Sequence, residues 1–130
     1  WREIWLNEGF ATYAQWLWSA AHGESTAQAT FDNFYFQSGS PIWDVPPGDP
    51  GAPDLFDRSV YVRGAMTLHA LRMTVGDTAF FKIIKDWAAQ QAGLTAVTTE
   101  FIALAERISG KQLDQLFDDW LYADSRPPRP

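Results

Sequence analysis

Two side chains in this chain have types and settings suited to chemistry: the carboxylate of Glu8 and the phenol of Tyr61. Glu8 stands in Trp5-Leu6-Asn7-Glu8-Gly9-Phe10-Ala11-Thr12-Tyr13. Asn7 predicts an N-cap, which puts Glu8 in the first turn of an aromatic-rich helix, where the macrodipole and free N–H groups favour an acid. Trp5, Leu6 and Phe10 make that setting greasy. A carboxylate held in apolar surroundings must be paired, protonated or bound to a metal. A helix-start acid and a metal ligand are both consistent with these residues. Tyr61 stands in Ser59-Val60-Tyr61-Val62-Arg63-Gly64-Ala65, at a predicted loop-to-helix junction. A phenol placed there can donate a hydrogen bond to charge that develops only in a transition state. Taken alone, it reads first as a half-buried packing residue.

The remaining polar groups read more simply. His22 lies fourteen residues after Glu8, roughly 21 Å along a straight helix, too far to share a metal with it. It is expected to cap the C-terminus of that helix. His69 is expected to be a satisfied, partly buried histidine. Thr12, one turn after Glu8, is expected to bond its own helix backbone. Trp43 is expected to anchor its loop to the core, Arg63 to be solvated, and Asp118 and Asp119 to lie on the exposed face of the last helix. The chain has no Cys, which excludes thiol catalysis, disulfides and Cys-based zinc sites.

The elements that must position these groups read as helices. Of 130 residues, 46% are hydrophobic and 15% aromatic, a composition that builds a packed globular core. The net charge is −6 and Lys and Arg are scattered, which argues against a nucleic-acid or anionic-membrane partner. No apolar run is long enough to form a membrane segment. Helical spacing predicts a first helix from Asn7 to about His22 on Phe10, Ala14, Leu17 and Trp18. A second follows from Ser25 or Thr26 with Phe31, Phe34 and Tyr35. The third opens near Ser59, carries Leu68, Leu71 and Val75, and stops at Gly76. Asp77 caps a fourth with Phe80, Phe81, Ile84, Trp87 and Ala88, closed near Gly93. Thr98 caps a fifth with Phe101, Leu104, Ala105 and Ile108, closed by Gly110. The sixth carries Leu113, Leu116, Phe117, Trp120 and Leu121. Residues 39–57 hold five of the eight Pro and three of the nine Gly, a density of breakers that leaves only a loop. The predicted class is all-α, an irregular bundle of about six helices, with residues 1–124 as the domain and 125–130 as a tail or linker.

With both segments in view, the sequence resembles a known family. WLNEGFATY is similar to the segment that supplies the third zinc ligand in the aminopeptidase N-like zinc metallopeptidases, the gluzincins. SVYVRGA is similar to that family's Tyr-x-Lys/Arg-Gly-Ala segment. The resemblance covers nearly the whole chain, least in the Pro/Gly-rich loop. It implies the helical second half of a thermolysin-like catalytic domain, with Glu8 as a zinc ligand and Tyr61 as the donor to the oxyanion. It implies a peptide substrate and an aminopeptidase that hydrolyses with metal-activated water. The family's HExxH, which carries two His ligands and the general base, is absent here, since the only His are His22 and His69. The expectation is therefore a piece of a longer peptidase that binds no tight zinc and turns nothing over by itself. A non-catalytic helical interaction module and an epoxide hydrolase relative are the alternatives. The chain also opens inside an apolar pattern, and excision is expected to expose Trp1, Ile4, Trp5 and Phe10 as a self-association face.

Overall fold

The structure is a computed structural model that describes residues 2–91 and 95–130. Six helices run in chain order: α1 (Ile4–Ala21), α2 (Ala27–Phe36), α3 (Arg58–Val75), α4 (Asp77–Gln90), α5 (Thr98–Ser109) and the single turn α6 (Asp114–Phe117). A short tight turn at Pro41–Trp43 interrupts the Pro/Gly-rich loop, and a widened helical turn, Asp118–Tyr122, continues α6. Among the described residues there is no strand, so the all-α class holds. Of the expected features, Gly93 as the end of the fourth helix and Trp1 in the exposed face lie outside the described residues.

The central element is α3. Ser59, Val60 and every residue from Val62 to Leu71 are buried. A helix buried all round needs neighbours on every side; α1, α2, α4, the loop and the terminal turn supply them. Asp57, not Ser59, caps it, accepting from the Ser59 N–H at 2.7 Å. The α3–α4 corner turns on Gly76 at φ +83°. Thr26 caps α2 by accepting from the Ala29 N–H at 3.1 Å.

The first helix departs from its sequence reading in three ways. It starts at Ile4, with Glu3 and not Asn7 in the cap position. Glu3 has no cap bond to its own helix; its carboxylate instead accepts from the Thr98 N–H at 2.6 Å and the Thr98 hydroxyl at 2.5 Å. The first N–H of α5 is thus satisfied from 95 residues away, and Thr98 is the first residue of α5, not its cap. The buried stripe of α1 is also turned. It consists of Trp5, Leu6, Gly9, Tyr13 and Trp16, whereas Ala14 is exposed and Trp18 is 59% exposed. Apolar residues surround this helix, so several stripes share a helical period, and packing against α3 selects among them.

Of the face expected to be open, Trp5 is buried, while Ile4 and Phe10 stay half-buried. Trp5 is 0% exposed, its indole N–H donates to Thr98 Oγ1 at 2.9 Å, and Phe101 packs edge-on against Trp5 and Phe10. Phe101 also meets Trp87 and Phe117, which makes it the aromatic centre of the α1, α4, α5 and α6 contacts. Residues 125–130 lie along α2. Tyr35 donates to the Pro127 carbonyl at 2.9 Å, Arg126 donates to the Tyr35 carbonyl at 3.2 Å, and Arg129 pairs with Asp32 at 2.5 Å.

Candidate active site

The two candidate residues stand near one helix crossing. Gly9 of α1 and Gly64 of α3 meet backbone to backbone. A methyl group on Gly9 would lie 2.8 Å from the Gly64 carbonyl carbon, and one on Gly64 would lie 3.1 Å from the Gly9 Cα. Only two glycines allow this approach. A glycine inside a helix costs up to about 1 kcal/mol relative to Ala, so a pair of them marks a packing requirement. Glu8 immediately precedes one glycine. Tyr61 precedes the other by three residues and so shares its face of α3.

Glu8 is the fifth residue of α1, half-buried, and therefore one turn further from the N-terminus than its sequence reading placed it. The macrodipole has faded at that depth, so a helix-start role does not account for this acid. Tyr61 is the fourth residue of α3, also half-buried, and packs its ring against the core. Among the described residues, no side chain ion-pairs with the Glu8 carboxylate, and no group of three His, Cys, Asp or Glu could hold a metal ion. As donor chemistry, Glu8 fits one ligand of a zinc ion, and the chain supplies no complete set.

A second polar layer pins α1 to α3 one turn further along. The Tyr13 hydroxyl donates to His69 Nδ1 at 2.9 Å, and His69 Nε2 donates to Gln28 Oε1 at 3.1 Å. Arg72 Nη1 donates to the Tyr13 oxygen at 3.4 Å while its Nε and Nη2 hold Asp77 at 2.7 and 2.9 Å. This directionality requires a neutral His69 with its proton on Nε2. Burial, helped by the Arg72 charge, pushes the His69 pKa down to about 4. His69 is therefore the satisfied core histidine expected of it. His22 bonds the Trp18 carbonyl at 2.8 Å and stacks on the Trp18 ring at the end of α1, as expected of a helix-terminal histidine.

Arg63 overturns its reading. It is 0% exposed, and its guanidinium donates only to backbone carbonyls. Nε reaches Trp120 O at 2.8 Å, Nη1 reaches Trp43 O at 3.3 Å, and Nη2 reaches Asp119 O at 3.1 Å and Ala123 O at 2.6 Å. Three of these carbonyls belong to the last helical turn of the chain and its exit, where no further N–H follows to satisfy them. Desolvation lowers the Arg63 pKa to about 10, so it remains a cation at neutral pH. Its ring neighbour is Trp43, 5.7 Å away, which anchors the loop as expected. Charge alone does not distinguish a buried Arg from a solvated one, and no feature of the sequence pointed to these carbonyl partners.

Residues 1–120 match the family profile described as Peptidase family M1 domain. Aminopeptidase N of Streptomyces lividans is 29% identical over 133 aligned residues, covering 93% of this chain and 16% of that protein. Aminopeptidase M1 of Arabidopsis thaliana is 27% identical, covering 92% of this chain and 15% of that protein. The crystal structure of the M1 zinc metallopeptidase from Deinococcus radiodurans superposes on the whole chain with a TM-score of 0.85 at 35% identity, and 29% of that chain is covered. A variant of the same enzyme, solved with a Tyr-Ser-Ala substrate, gives a TM-score of 0.84. The chain thus spans less than a fifth of the curated relatives it matches and under a third of the solved ones.

Proposed function

The chain belongs to peptidase family M1, and from that premise we propose that the protein carrying it is a zinc-dependent metallopeptidase, an aminopeptidase that removes N-terminal residues from peptides. Two of its site groups lie in this chain. The observation that carries the proposal is the Gly9–Gly64 crossing, where a half-buried carboxylate flanks one glycine and a half-buried phenol stands one helical turn before the other. Among the described residues, neither takes part in an ion pair.

In this reading Glu8 holds the metal as one of three protein ligands, and the other two, with the general base, come from an HExxH segment outside this chain. Zinc, when bound, lowers the pKa of water and polarises the scissile carbonyl. Tyr61 donates its hydroxyl proton in a hydrogen bond to the carbonyl oxygen as that oxygen gains negative charge. The buried Trp5 and Tyr13 anchor α1 on either side of Glu8. Residues 1–124 act as the helical C-terminal part of the catalytic domain, and 125–130 as a tail or linker.

The test joins this segment to its upstream sequence and measures zinc content and hydrolysis of an aminoacyl chromogen. Glu8→Ala is expected to lose zinc and to lower kcat/KM by more than about 100-fold. Tyr61→Phe is expected to keep zinc and to lower kcat by roughly 100- to 1,000-fold. A fully active Glu8→Ala protein overturns the role of Glu8, and a fully active Tyr61→Phe protein overturns that of Tyr61. Self-association of the isolated chain is expected through the half-buried Ile4 and Phe10 beside Trp5, and sedimentation of a strict monomer would count against it.

A further inference from the structure

Residues 126–130 read Arg-Pro-Pro-Arg-Pro, three prolines in five positions with no acid among them. Proline fixes φ near −65°, so such a segment is pre-set to an extended strand of about three residues per turn, in which residues i and i+3 share one side. Arg126 and Arg129 stand in that relation. On α2, Asp32, Tyr35 and Phe36 stand at i, i+3 and i+4 and share one face of the helix.

The two faces meet residue by residue. The Arg126 guanidinium lies over the Tyr35 ring at 5.4 Å and donates to the Tyr35 carbonyl at 3.2 Å. The Arg129 guanidinium lies over the Phe36 ring at 5.7 Å and pairs with Asp32 at 2.5 Å. Between them Pro127 is buried, and its carbonyl accepts from the Tyr35 hydroxyl at 2.9 Å. Pro128 is exposed. Tyr35 is braced from behind, stacked on Phe31 at 5.7 Å and edge-on to Trp43 at 6.1 Å, so the seat is part of the packed body. An exposed ion pair alone contributes little. The two ring contacts, the buried proline and the tyrosine bond add a register that charge by itself does not set.

We propose that this face of α2 is a recognition site for an arginine–proline strand of the form Arg-Pro-x-Arg, filled in cis by residues 126–129, so that 125–130 is a docked tail and not a free linker. Because its prolines hold the strand extended before it docks, little conformational freedom is lost on seating.

The experiment uses the whole 130-residue chain. It contains no Cys, so Pro130→Cys gives one attachment point for a nitroxide beside Arg129. This labelled chain is compared with a tail variant, Arg126→Gln with Arg129→Gln, and a seat variant, Asp32→Asn with Phe36→Ala, each checked by circular dichroism for unchanged helix content. The spin label is expected to be restricted in the first and freely mobile in both variants. A mobile label in the first overturns the proposal, as does a restricted label in the tail variant, which shows that the arginines do not hold the strand. The second readout is anisotropy of a fluorescein-labelled Ser-Arg-Pro-Pro-Arg-Pro peptide up to millimolar concentration, the range in which a tethered segment competes. It is expected to bind the tail variant at least about tenfold more tightly than the unmodified chain, whose seat is filled, and to lose that binding in a chain that combines the tail and seat substitutions. Equal binding to the tail variant and to the combined variant marks attraction of a cationic peptide to a chain of net charge −6 and overturns the recognition site. No binding to the tail variant overturns it as well.

Discussion

His69 shows how a single buried residue ties this fold to pH. Its folded pKa of about 4 lies below the ordinary histidine value of 6.5. Between those values the unfolded chain binds a proton that the folded chain refuses. Stability from this group is therefore complete above pH 6.5 and is lost as pH falls through the window toward 4. At about 1.4 kcal/mol per pH unit the loss is on the order of 3 kcal/mol. Thermal melts from pH 7 to 4 should show a decline that is shallower in His69→Gln, which stays neutral throughout. An identical decline in the two proteins would sink the assignment. Glu8 and Tyr61 stand out in the sequence as candidates because their neighbours form motifs. Arg63 does not, because burial of a cation depends on carbonyls contributed by residues 20 to 60 positions away.

Helices here are positioned by contacts whose meaning lies in pairs. Gly9 and Gly64 are each unremarkable helix glycines until they face one another. Gly9→Ala forces a methyl group against the Gly64 backbone, which no side-chain rotation relieves. The expected cost is about 1–3 kcal/mol of stability, measured by urea denaturation. Because Glu8 is the adjacent residue, zinc affinity of the full-length protein should fall as well. An unchanged midpoint and unchanged zinc content would show that the helices have room to part. The start of α5 follows the same logic. Helix-start residues near 98 were readable from the Thr98-Thr99-Glu100 pattern, but the group that satisfies the first N–H is Glu3, brought there by the α1 packing. Thr98→Val removes the hydroxyl that links Glu3 to the Trp5 indole and should cost about 1 kcal/mol in the same measurement.

As a whole molecule, the chain is a packed helical body that, in the proposed reading, carries one ligand of a metal site. One carboxylate does not bind zinc tightly, so the isolated 130 residues should take up less than stoichiometric metal in equilibrium dialysis and hydrolyse no aminoacyl chromogen. Stoichiometric zinc in the Glu8-containing isolated chain, retained in Glu8→Ala, would place the metal elsewhere. By itself the amino-acid sequence determined the helical class and most helix ends and singled out the two residues of the proposed site, because periodicity, Gly and Pro breakers and short motifs are local properties. It left open which side of α1 is buried, where that helix starts, and whether Arg63 meets water or carbonyls. Those were decided by the tertiary structure, since each depends on a partner distant in the chain. A helix apolar on every side has no preferred face until a neighbour, here Gly64 and the rest of α3, excludes all but one.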